Sequence, residues 1–253
     1  MRTINCLCGA RLEADDAEGL VAAFAGHNRE AHADRAISER RLEDAYEAIR
    51  RSGGWDGERE LLDDDILVRP LTPAMKDAYL SYFDHDAFKD NPSWASCYCL
   101  SYHTRFEPHA WEGRTAAHNR ADRAAMIERG EASRVLAFAG PRVVGWCNAS
   151  PRTALPWLDM TPGFACDDPA NTGAIVCFAI APQYRGQGIA RRLLDGACAM
   201  LRDRGFALVQ AYPPLAPRSD ACAYHGPLPM YLDAGFTKIR DAGRYAVVEK
   251  RLA

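Results

Sequence analysis

Residues 183–190 read Gln-Tyr-Arg-Gly-Gln-Gly-Ile-Ala and lie between an apolar run at residues 175–180 and a helical pattern. A strand, a glycine-rich turn and a helix in this order aim backbone N–H groups at an anion. The reason is that the first turn of a helix has unpaired donors and the positive end of the helix dipole. Gly186 and Gly188 remove side chains that would hold an anion away, and Arg185 adds a fixed positive charge. The segment therefore predicts binding of a ligand that carries a pyrophosphate.

Two common phosphate-binding motifs do not fit this segment. A Walker A loop ends in Gly-Lys-Ser/Thr, and no lysine is present here. A dinucleotide fingerprint has three spaced glycines and an acidic residue about 20 positions on. This chain has two glycines followed by Ala190, and its next apolar run carries Gln210 instead of an acid. Once these two motifs are excluded, the remaining alternative to an anion site is an ordinary strand-to-helix turn.

Composition restricts the class of protein further. The 253 residues carry a formal net charge of −3, which gives no electrostatic reason to expect nucleic acid or a membrane surface as a partner. No apolar run approaches the roughly 18 residues of a membrane span, and the start of the chain has no signal-peptide pattern, so we expect a cytoplasmic protein. The nine cysteines, an odd number, favour thiols, metal ligands or core residues over disulfides.

A glycine-rich stretch at residues 51–57, followed by three aspartates at residues 63–65, divides the chain. We predict a small unit at residues 1–52, a linker at 53–64 and a larger domain at 65–253. The small unit carries two helical patterns, at residues 18–33 and 37–51. The larger domain has the predicted order β-α-α-β-β-β-α-β-α-β-β. Its predicted strands are 66–71, 134–139, 142–147, 175–180, 208–212, 236–239 and 245–249, and its predicted helices 72–83, 111–129, 188–204 and 230–233.

The phosphate-binding segment resembles the acyl-CoA loop of the GNAT superfamily of N-acyltransferases, Arg-x-x-Gly-x-Gly/Ala. Arg185, Gly188 and Ala190 occupy its three defining positions, and residues 180–182 match the hydrophobic-x-Pro that precedes it. The predicted order of elements over residues 66–252 is also similar to that of a GNAT domain. The resemblance implies an α/β fold with a central mixed sheet flanked by helices. It also implies transfer of an acetyl group from acetyl-CoA to an amine of a small molecule or a protein.

The resemblance also implies which residues bind the cofactor. The strand before the loop would pair with pantetheine through its backbone, and an N–H near Ile180 would face the thioester oxygen. Tyr224 stands where many family members have an asparagine that touches CoA. The residues implied are Phe178, Ala179 and Ile180 on the strand, and Arg185, Gly186, Gln187, Gly188, Ile189, Ala190 and Arg191 at the loop.

The segment that begins with Tyr231 and ends with Gly235-Phe236 matches a second family motif, Tyr-x-x-x-Gly-Phe. In the family this tyrosine protonates the CoA thiolate. A phenol suits that role because its ordinary pKa of about 10 keeps it protonated at neutral pH. The alternative is a tyrosine that only packs on the core.

On the acceptor side, the family places the connection between its first two helices over the amine, so we expect Trp94, Tyr98 and Tyr102 to shape that pocket. No general base is identified. The family often has a glutamate on the central strand, where this chain has Cys177. The other candidates lie in predicted loops: His225, Asp159, Asp167 and Asp168.

Cys97, Cys99 and His103 have a spacing that allows three interpretations. They are core residues, ligands of a metal, or, for the two cysteines, a redox-active pair of thiols. Simple packing is favoured over a metal because no fourth ligand is evident.

In the N-terminal unit, Cys6, Cys8, His27 and His32 predict a zinc site, because zinc takes four nitrogen or sulfur ligands and a His-x4-His helix brings two imidazoles together. The unit is too short for a large core, and a metal would supply folding free energy. It is similar to small predicted metal-binding proteins with paired cysteines before such a helix. The alternative is a pair of helices without a metal.

Residues 1–60 hold nine arginines against thirteen acids, which argues against binding of nucleic acid by this unit. We therefore predict an accessory module that docks a protein partner or covers the acceptor site. For the whole chain, the alternative to an N-acetyltransferase is a non-catalytic protein that binds acyl-CoA or a metal-linked regulatory protein.

Overall fold

The computed structural model of the chain describes residues 1–34, 37–62, 66–104, 111, 113–131, 134–217 and 219–252. Within these ranges the strands are β1 (Arg2–Asn5), β2 (Arg11–Ala14), β3 (Leu67–Pro70), β4 (Val135–Ala139), β5 (Arg142–Pro151), β6 (Thr172–Ile180), β7 (Leu208–Ala211), β8 (Thr237–Ala242) and β9 (Tyr245–Arg251). The α-helices are α1 (Ala17–Ala31), α2 (Glu39–Ser52), α3 (Lys76–His85), α4 (Ala116–Glu128), α5 (Ile189–Asp203) and α6 (Leu228–Asp233).

Seven strands form one mixed sheet in the order β3-β4-β5-β6-β7-β9-β8. Neighbouring strands are antiparallel except β6 and β7, which are parallel and pair only through residues 172–175 and 208–211. Residues 176–180 of β6 therefore extend beyond the ladder with β7, although they still pair with β5. The order of elements confirms the predicted α/β fold with a central mixed sheet, and this divergence opens the sheet at its middle.

Helices cover both faces of the sheet. On one face Trp146 of β5, which is fully buried, packs its ring edge-on against Phe83 of α3 at a centroid distance of 5.1 Å. On the other face lies α5, whose buried side is apolar because small and large aliphatic residues recur at helical spacing. Gly145 of β5 permits this close packing, since a Cβ there would lie 3.0 Å from Cγ2 of Ile189 in α5. The phosphate-binding segment is thus fixed between two packed elements, β6 and α5.

The helix limits differ from the predicted ones where local capping decides them. The helix predicted from residue 111 begins at Ala116, because the Thr115 hydroxyl caps it by accepting the N–H of His118 at 3.1 Å. Thr72 does not cap α3. It precedes a 3-10 turn, Pro73–Met75, and its side chain makes no capping hydrogen bond.

The N-terminal unit contains a two-stranded hairpin, β1 with β2, in addition to the two predicted helices. Its strands have four residues each, which is too short for an alternating pattern to stand out in the sequence. The predicted linker continues this unit, because Thr3 and Trp55 exchange backbone hydrogen bonds of 2.7 and 3.0 Å. The acidic run at residues 63–65, where that linker was predicted to end, lies outside the described residues. Across the described ranges, no helix combines the length and the apolar character needed to cross a membrane.

Candidate functional site

A cavity of about 590 Å³ lies where β6 diverges from β7. The end of β6 lines one wall with Phe178, Ala179 and Ile180, and the start of α5 adds Ala190. Six further aromatic side chains line the cavity: Phe88, Trp94, Tyr102, Trp111, Trp157 and Tyr224. The structure therefore brings the predicted cofactor strand, the first turn of α5 and two of the predicted acceptor-side residues around one space.

Some backbone groups at the open end of β6 already have protein partners. The N–H of Phe178 donates to the carbonyl of Tyr224 at 2.6 Å, and the Tyr82 hydroxyl donates to the carbonyl of Ala179 at 2.8 Å. These two groups are satisfied within the protein. The expected pairing of pantetheine with all three strand residues would thus require these contacts to exchange.

Both glycines of the loop have a backbone conformation that brings N–H groups within reach of an anion. Gly186 and Gly188 have φ values of +78° and +77°, in the left-handed region that side chains disfavour. Gly188 is the N-cap of α5, and nothing lies within 4 Å of the position that a Cβ would take there. The N–H groups of Arg191 and Arg192 donate to the carbonyl of Gly188 at 3.1 and 3.2 Å. The donors that the helix geometry leaves for an anion are therefore the N–H groups of residues 188–190.

Arg185 has a different environment from the one expected. Its guanidinium forms a two-point ion pair with the carboxylate of Asp90, with Nη2 2.9 Å from Oδ1, and its Nε donates to the carbonyl of Ile180 at 3.0 Å. The Asp90 side chain is 3% exposed. The charge of Arg185 is thus balanced inside the protein, so this residue ties the end of β6 to the segment after α3. Sequence spacing gave no signal for Asp90, which is 95 residues away.

The predicted linker lies directly on the loop. The Gln187 amide donates to the carbonyl of Glu60 at 2.8 Å and accepts the N–H of Leu62 at 3.0 Å. The Glu60 N–H donates to the carbonyl of Gln183 at 3.2 Å, and the Tyr184 hydroxyl donates to the Glu60 carboxylate at 2.5 Å. The hydrogen bond from this hydroxyl lowers the pKa of Glu60 below its ordinary value, and the charge of Arg142 lowers it further. Partial burial acts in the opposite direction but does not outweigh them. The side chain of Gln187 is therefore occupied by the linker.

Tyr231 is fully buried beside the cavity and is not among its described lining residues. Its hydroxyl donates to the carbonyl of His225 at 2.6 Å, and burial raises its pKa well above the ordinary value. Its ring meets Phe178 at a centroid distance of 6.4 Å. Tyr231 thus stands one residue behind the cavity wall, and its catalytic role stays a prediction.

The two tyrosines predicted for the acceptor pocket have different positions. Tyr102 lines the cavity, and its hydroxyl oxygen lies 3.1 Å from Nε2 of His225. Tyr98 does not belong to the described lining, which departs from the expectation. Its ring stacks on Phe83, and its hydroxyl donates to the carboxylate of Asp84. The positive φ of Tyr98, 43°, is part of the turn that directs its side chain into the core and away from the cavity.

None of the histidine or aspartate residues considered as a base lines the cavity in the part of the chain that the structure describes. His225 is buried, and burial, with a smaller effect from the charge of Arg244, lowers its pKa to about 3. Asp159 is paired with Arg152 at 2.8 Å. Cys177, on the central strand, does line the cavity.

The two remaining aspartates considered as a base also lie outside the described lining of the cavity. Asp168 accepts hydrogen bonds from Asn171, and Asp167 is exposed in a loop.

Cys97 and Cys99 line the cavity as thiols. The pKa of each is raised, for Cys97 chiefly by a hydrogen bond with Cys99 and for Cys99 chiefly by burial. A raised pKa disfavours the thiolate that metal binding or thiol exchange requires. His103 contacts the side chains of Arg134 and Asn148, and no metal-binding cluster includes it among the described residues. Packing is the interpretation that these contacts support.

The four predicted metal ligands of the N-terminal unit converge. Sγ of Cys6 lies 3.2 Å from Nε2 of His32, and Sγ of Cys8 lies 3.3 Å from Nε2 of His27. All four atoms are within 4.8 Å of one another. A tetrahedral zinc ion with bonds of 2.0–2.3 Å sets its ligand atoms about 3.5 Å apart, so the donor set fits this metal in both chemistry and size.

The N-terminal unit also contacts the wall of the cavity. The backbone N–H of Asn5, one residue before Cys6, donates to the carbonyl of Asp90 at 2.7 Å. Arg51 of α2 donates to the carbonyl of Asp84 at 3.0 Å. The unit therefore packs on the segment that carries Asp90 and leads into Trp94.

A family model described as the acetyltransferase (GNAT) family matches residues 94–225. The chain is similar in structure to the PaiA N-acetyltransferase of Thermoplasma acidophilum in complex with coenzyme A, with 15% identity, 74% of this chain and 99% of that chain covered, and a TM-score of 0.45. It is also similar in structure to YncA, a putative acetyltransferase of Salmonella typhimurium with its cofactor acetyl-CoA. The identity is 15%, 75% of this chain and 95% of that chain are covered, and the TM-score is 0.44. A third similar structure is the ribosomal-protein-alanine N-acetyltransferase of Brucella melitensis, with 16% identity, 74% of this chain and 99% of that chain covered, and a TM-score of 0.42. No curated protein matches the sequence.

Proposed function

Because the chain belongs to the acetyltransferase (GNAT) family, we propose that it transfers the acetyl group of acetyl-CoA to an amine. The amine nitrogen attacks the thioester carbonyl carbon, a C–N bond forms, the C–S bond breaks, and the nitrogen loses a proton while the thiolate gains one. The observation that carries the proposal is the single cavity shared by the end of β6, the first turn of α5 and an aromatic wall. Such a cavity holds both reactants in contact, which is a large part of what this reaction requires.

On the donor side, we assign the pyrophosphate to the loop at residues 186–191. The open space at Gly188 and the N–H groups of residues 188–190 at the start of α5 support this assignment. The thioester would lie along Phe178, Ala179 and Ile180, where an N–H near Ile180 stabilises the oxyanion. Replacing Gly188 with valine is expected to weaken acetyl-CoA binding, because a β-branched side chain is strained at a φ of +77° and enters the anion's space. Unchanged affinity in this variant would contradict the assignment.

On the acceptor side, we assign Trp94 and Tyr102 to the amine pocket. The described lining offers no carboxylate or imidazole as a base, so the amine would enter neutral or lose its proton to water. We propose Tyr231 as the acid that protonates the departing thiolate. Its contact with Phe178 supports this role, and burial, which raises its pKa, keeps the hydroxyl protonated at neutral pH. The hydroxyl would have to exchange its bond to the His225 carbonyl during the reaction.

We further propose that Cys6, Cys8, His27 and His32 hold one structural Zn²⁺. When bound, the metal would cross-link β1 to α1 and supply folding free energy to a unit whose own core is small. The four ligands leave no open position, so the metal would take no part in acyl transfer. The unit would then act by supporting the cavity wall through Asn5 and Asp90, which favours the covering role over a role in docking a partner.

The second candidate function is acyl-CoA binding without catalysis. It is favoured by one observation, the Tyr231 hydroxyl bound to a backbone carbonyl and set behind the cavity wall. The two candidates differ in turnover and share cofactor binding.

A test combines calorimetry with acetyl-CoA and an assay of CoA release over a panel of aryl, alkyl and peptidyl amines. Binding with release above the hydrolysis rate for one amine class supports the transferase. Binding without release for any amine supports the second candidate, and absence of binding in folded, metal-loaded protein rejects both.

A further inference from the structure

The arginines described so far around the donor loop are already paired with carboxylates. Arg185, the arginine of the family motif, is paired with Asp90, and Arg191 is paired with Asp195 at 3.2 Å. Arg142, on the other side of the loop, is paired with Glu60 at 3.1 Å. Backbone N–H groups and the helix dipole contribute only partial charges. A pyrophosphate carries full negative charges, and arginine is the side chain best suited to bind them in a fork.

The linker between the two units provides such a cation at the right place. Nη1 of Arg59 lies 3.4 Å from the point where a Cβ on Gly186 would sit. The side chain is exposed, and within the described ranges it enters no hydrogen bond or ion pair. Its guanidinium therefore stands over the first glycine of the loop and is free to bind an anion.

The position of Arg59 is fixed by its neighbours. Glu60 and Leu62 are held on the loop by their hydrogen bonds to Gln183, Tyr184 and Gln187. On the other side, the Trp55 indole N–H donates to the carbonyl of Glu58 at 3.0 Å. Because backbone and side-chain bonds hold both flanks, the segment gives Arg59 a defined place and so reduces the entropy lost when it binds a ligand.

We propose that Arg59 binds the pyrophosphate of the acyl-CoA across Gly186, in the place that the motif arginine would take if it were free. The inference rests on the proposed function. It makes the predicted linker part of the donor site. The hydrogen bonds that hold the linker on the loop would then position a ligand-binding residue as well as join the two units.

The test measures affinity by calorimetry for three ligands: CoA, 3′-dephospho-CoA and S-acetylpantetheine, which has no pyrophosphate. Arg59→Ala is expected to weaken CoA and 3′-dephospho-CoA equally, by about ten-fold or more, because one charge-assisted contact is lost. The affinity for S-acetylpantetheine should stay at the wild-type value. Arg59→Lys should lose less than Arg59→Ala, since the charge remains.

The matched control is Arg202→Ala, an exposed arginine in the last turn of α5, about 20 Å from its first turn. It should bind all three ligands as the wild type does. Wild-type CoA affinity in Arg59→Ala would overturn the inference while leaving the proposed function intact. A loss confined to CoA would also overturn it, because that result would place Arg59 at the 3′-phosphate. A wild-type protein that binds no CoA would reject the proposed function itself.

Discussion

The carboxylate of Asp90 and the guanidinium of Arg185 form a two-point ion pair between the segment after α3 and the loop before α5. The same Asp90 accepts the backbone N–H of Asn5 through its carbonyl, and Arg185 also donates to the carbonyl of Ile180. This pair of residues therefore connects the N-terminal unit, the segment after α3 and the end of β6. The geometry of the proposed donor site depends on it.

Asp90→Asn is expected to lower the free energy of unfolding by about 2 kcal/mol, because it leaves the partly buried Arg185 without a counter-charge. The affinity for acetyl-CoA should fall as well, since the loop loses its anchor. Urea denaturation and calorimetry measure the two effects. Asp86→Asn is the control, because Asp86 forms only a 3.5 Å pair with Lys89 near the surface. Equal stability of the two variants would show that the buried pair is not what anchors the loop.

Tyr231→Phe is expected to lower kcat by about 100-fold and leave the affinity for acetyl-CoA unchanged, because only the proton donor is removed. Tyr98→Phe removes another buried hydroxyl, one bound to Asp84 outside the described cavity lining. It should lower stability and retain kcat. If Tyr231→Phe turns over at the wild-type rate, Tyr231 is a core residue, and the acid lies elsewhere.

The purified protein is expected to contain one zinc ion per chain, and Cys6→Ser is expected to lose it. Because Asn5 binds Asp90, the loss should lower both the melting temperature and the affinity for acetyl-CoA. Elemental analysis and thermal unfolding measure these changes. Cys166→Ser is the control, a half-buried thiol outside the predicted ligand set. A Cys6→Ser protein with unchanged zinc content would refute the ligand assignment.

Stability is expected to fall as the pH drops below about 6.5. His225 has a folded-state pKa of about 3, lowered chiefly by burial, whereas in the unfolded chain its pKa is near 6.5. Between these values the unfolded state binds one more proton, so this residue alone gives a slope of about 1.4 kcal/mol per pH unit. Its contribution is complete above pH 6.5 and is lost as the pH falls toward 3. Urea denaturation at several pH values should show a smaller slope for His225→Gln, and an unchanged slope would mean that His225 titrates normally.

The sequence was most informative where function is encoded locally. The glycines at 186 and 188 have the left-handed conformation that a backbone anion site needs, and Phe178, Ala179 and Ile180 all line the cavity. The order of strands and helices was also predictable, because it follows from hydrophobic period and turn residues. The hairpin of β1 and β2 was missed, since two four-residue strands carry too little pattern.

Long-range contacts and backbone geometry decided the surroundings of the predicted site residues. Tyr98 was expected in the acceptor pocket beside Tyr102, but a turn with positive φ directs it toward Asp84. The motif arginine was expected to bear a free charge, but Asp90 neutralises it. Both outcomes depend on partners far along the chain or on backbone geometry, and neither leaves a periodic signal in the sequence.

By itself, the sequence determined the fold class, the family resemblance and the loop that offers backbone donors, because spacing within about ten residues sets turns, caps and periodicity. Only the tertiary structure decided which side chains are free to meet a ligand. Burial and pairing settle that question. The charge of Arg185 is balanced by Asp90 and the amide of Gln187 is bound to Glu60, while Arg59 lies over Gly186 without a partner among the described residues. A charge acts on a ligand only when no internal partner has already neutralised it, and that depends on the whole fold.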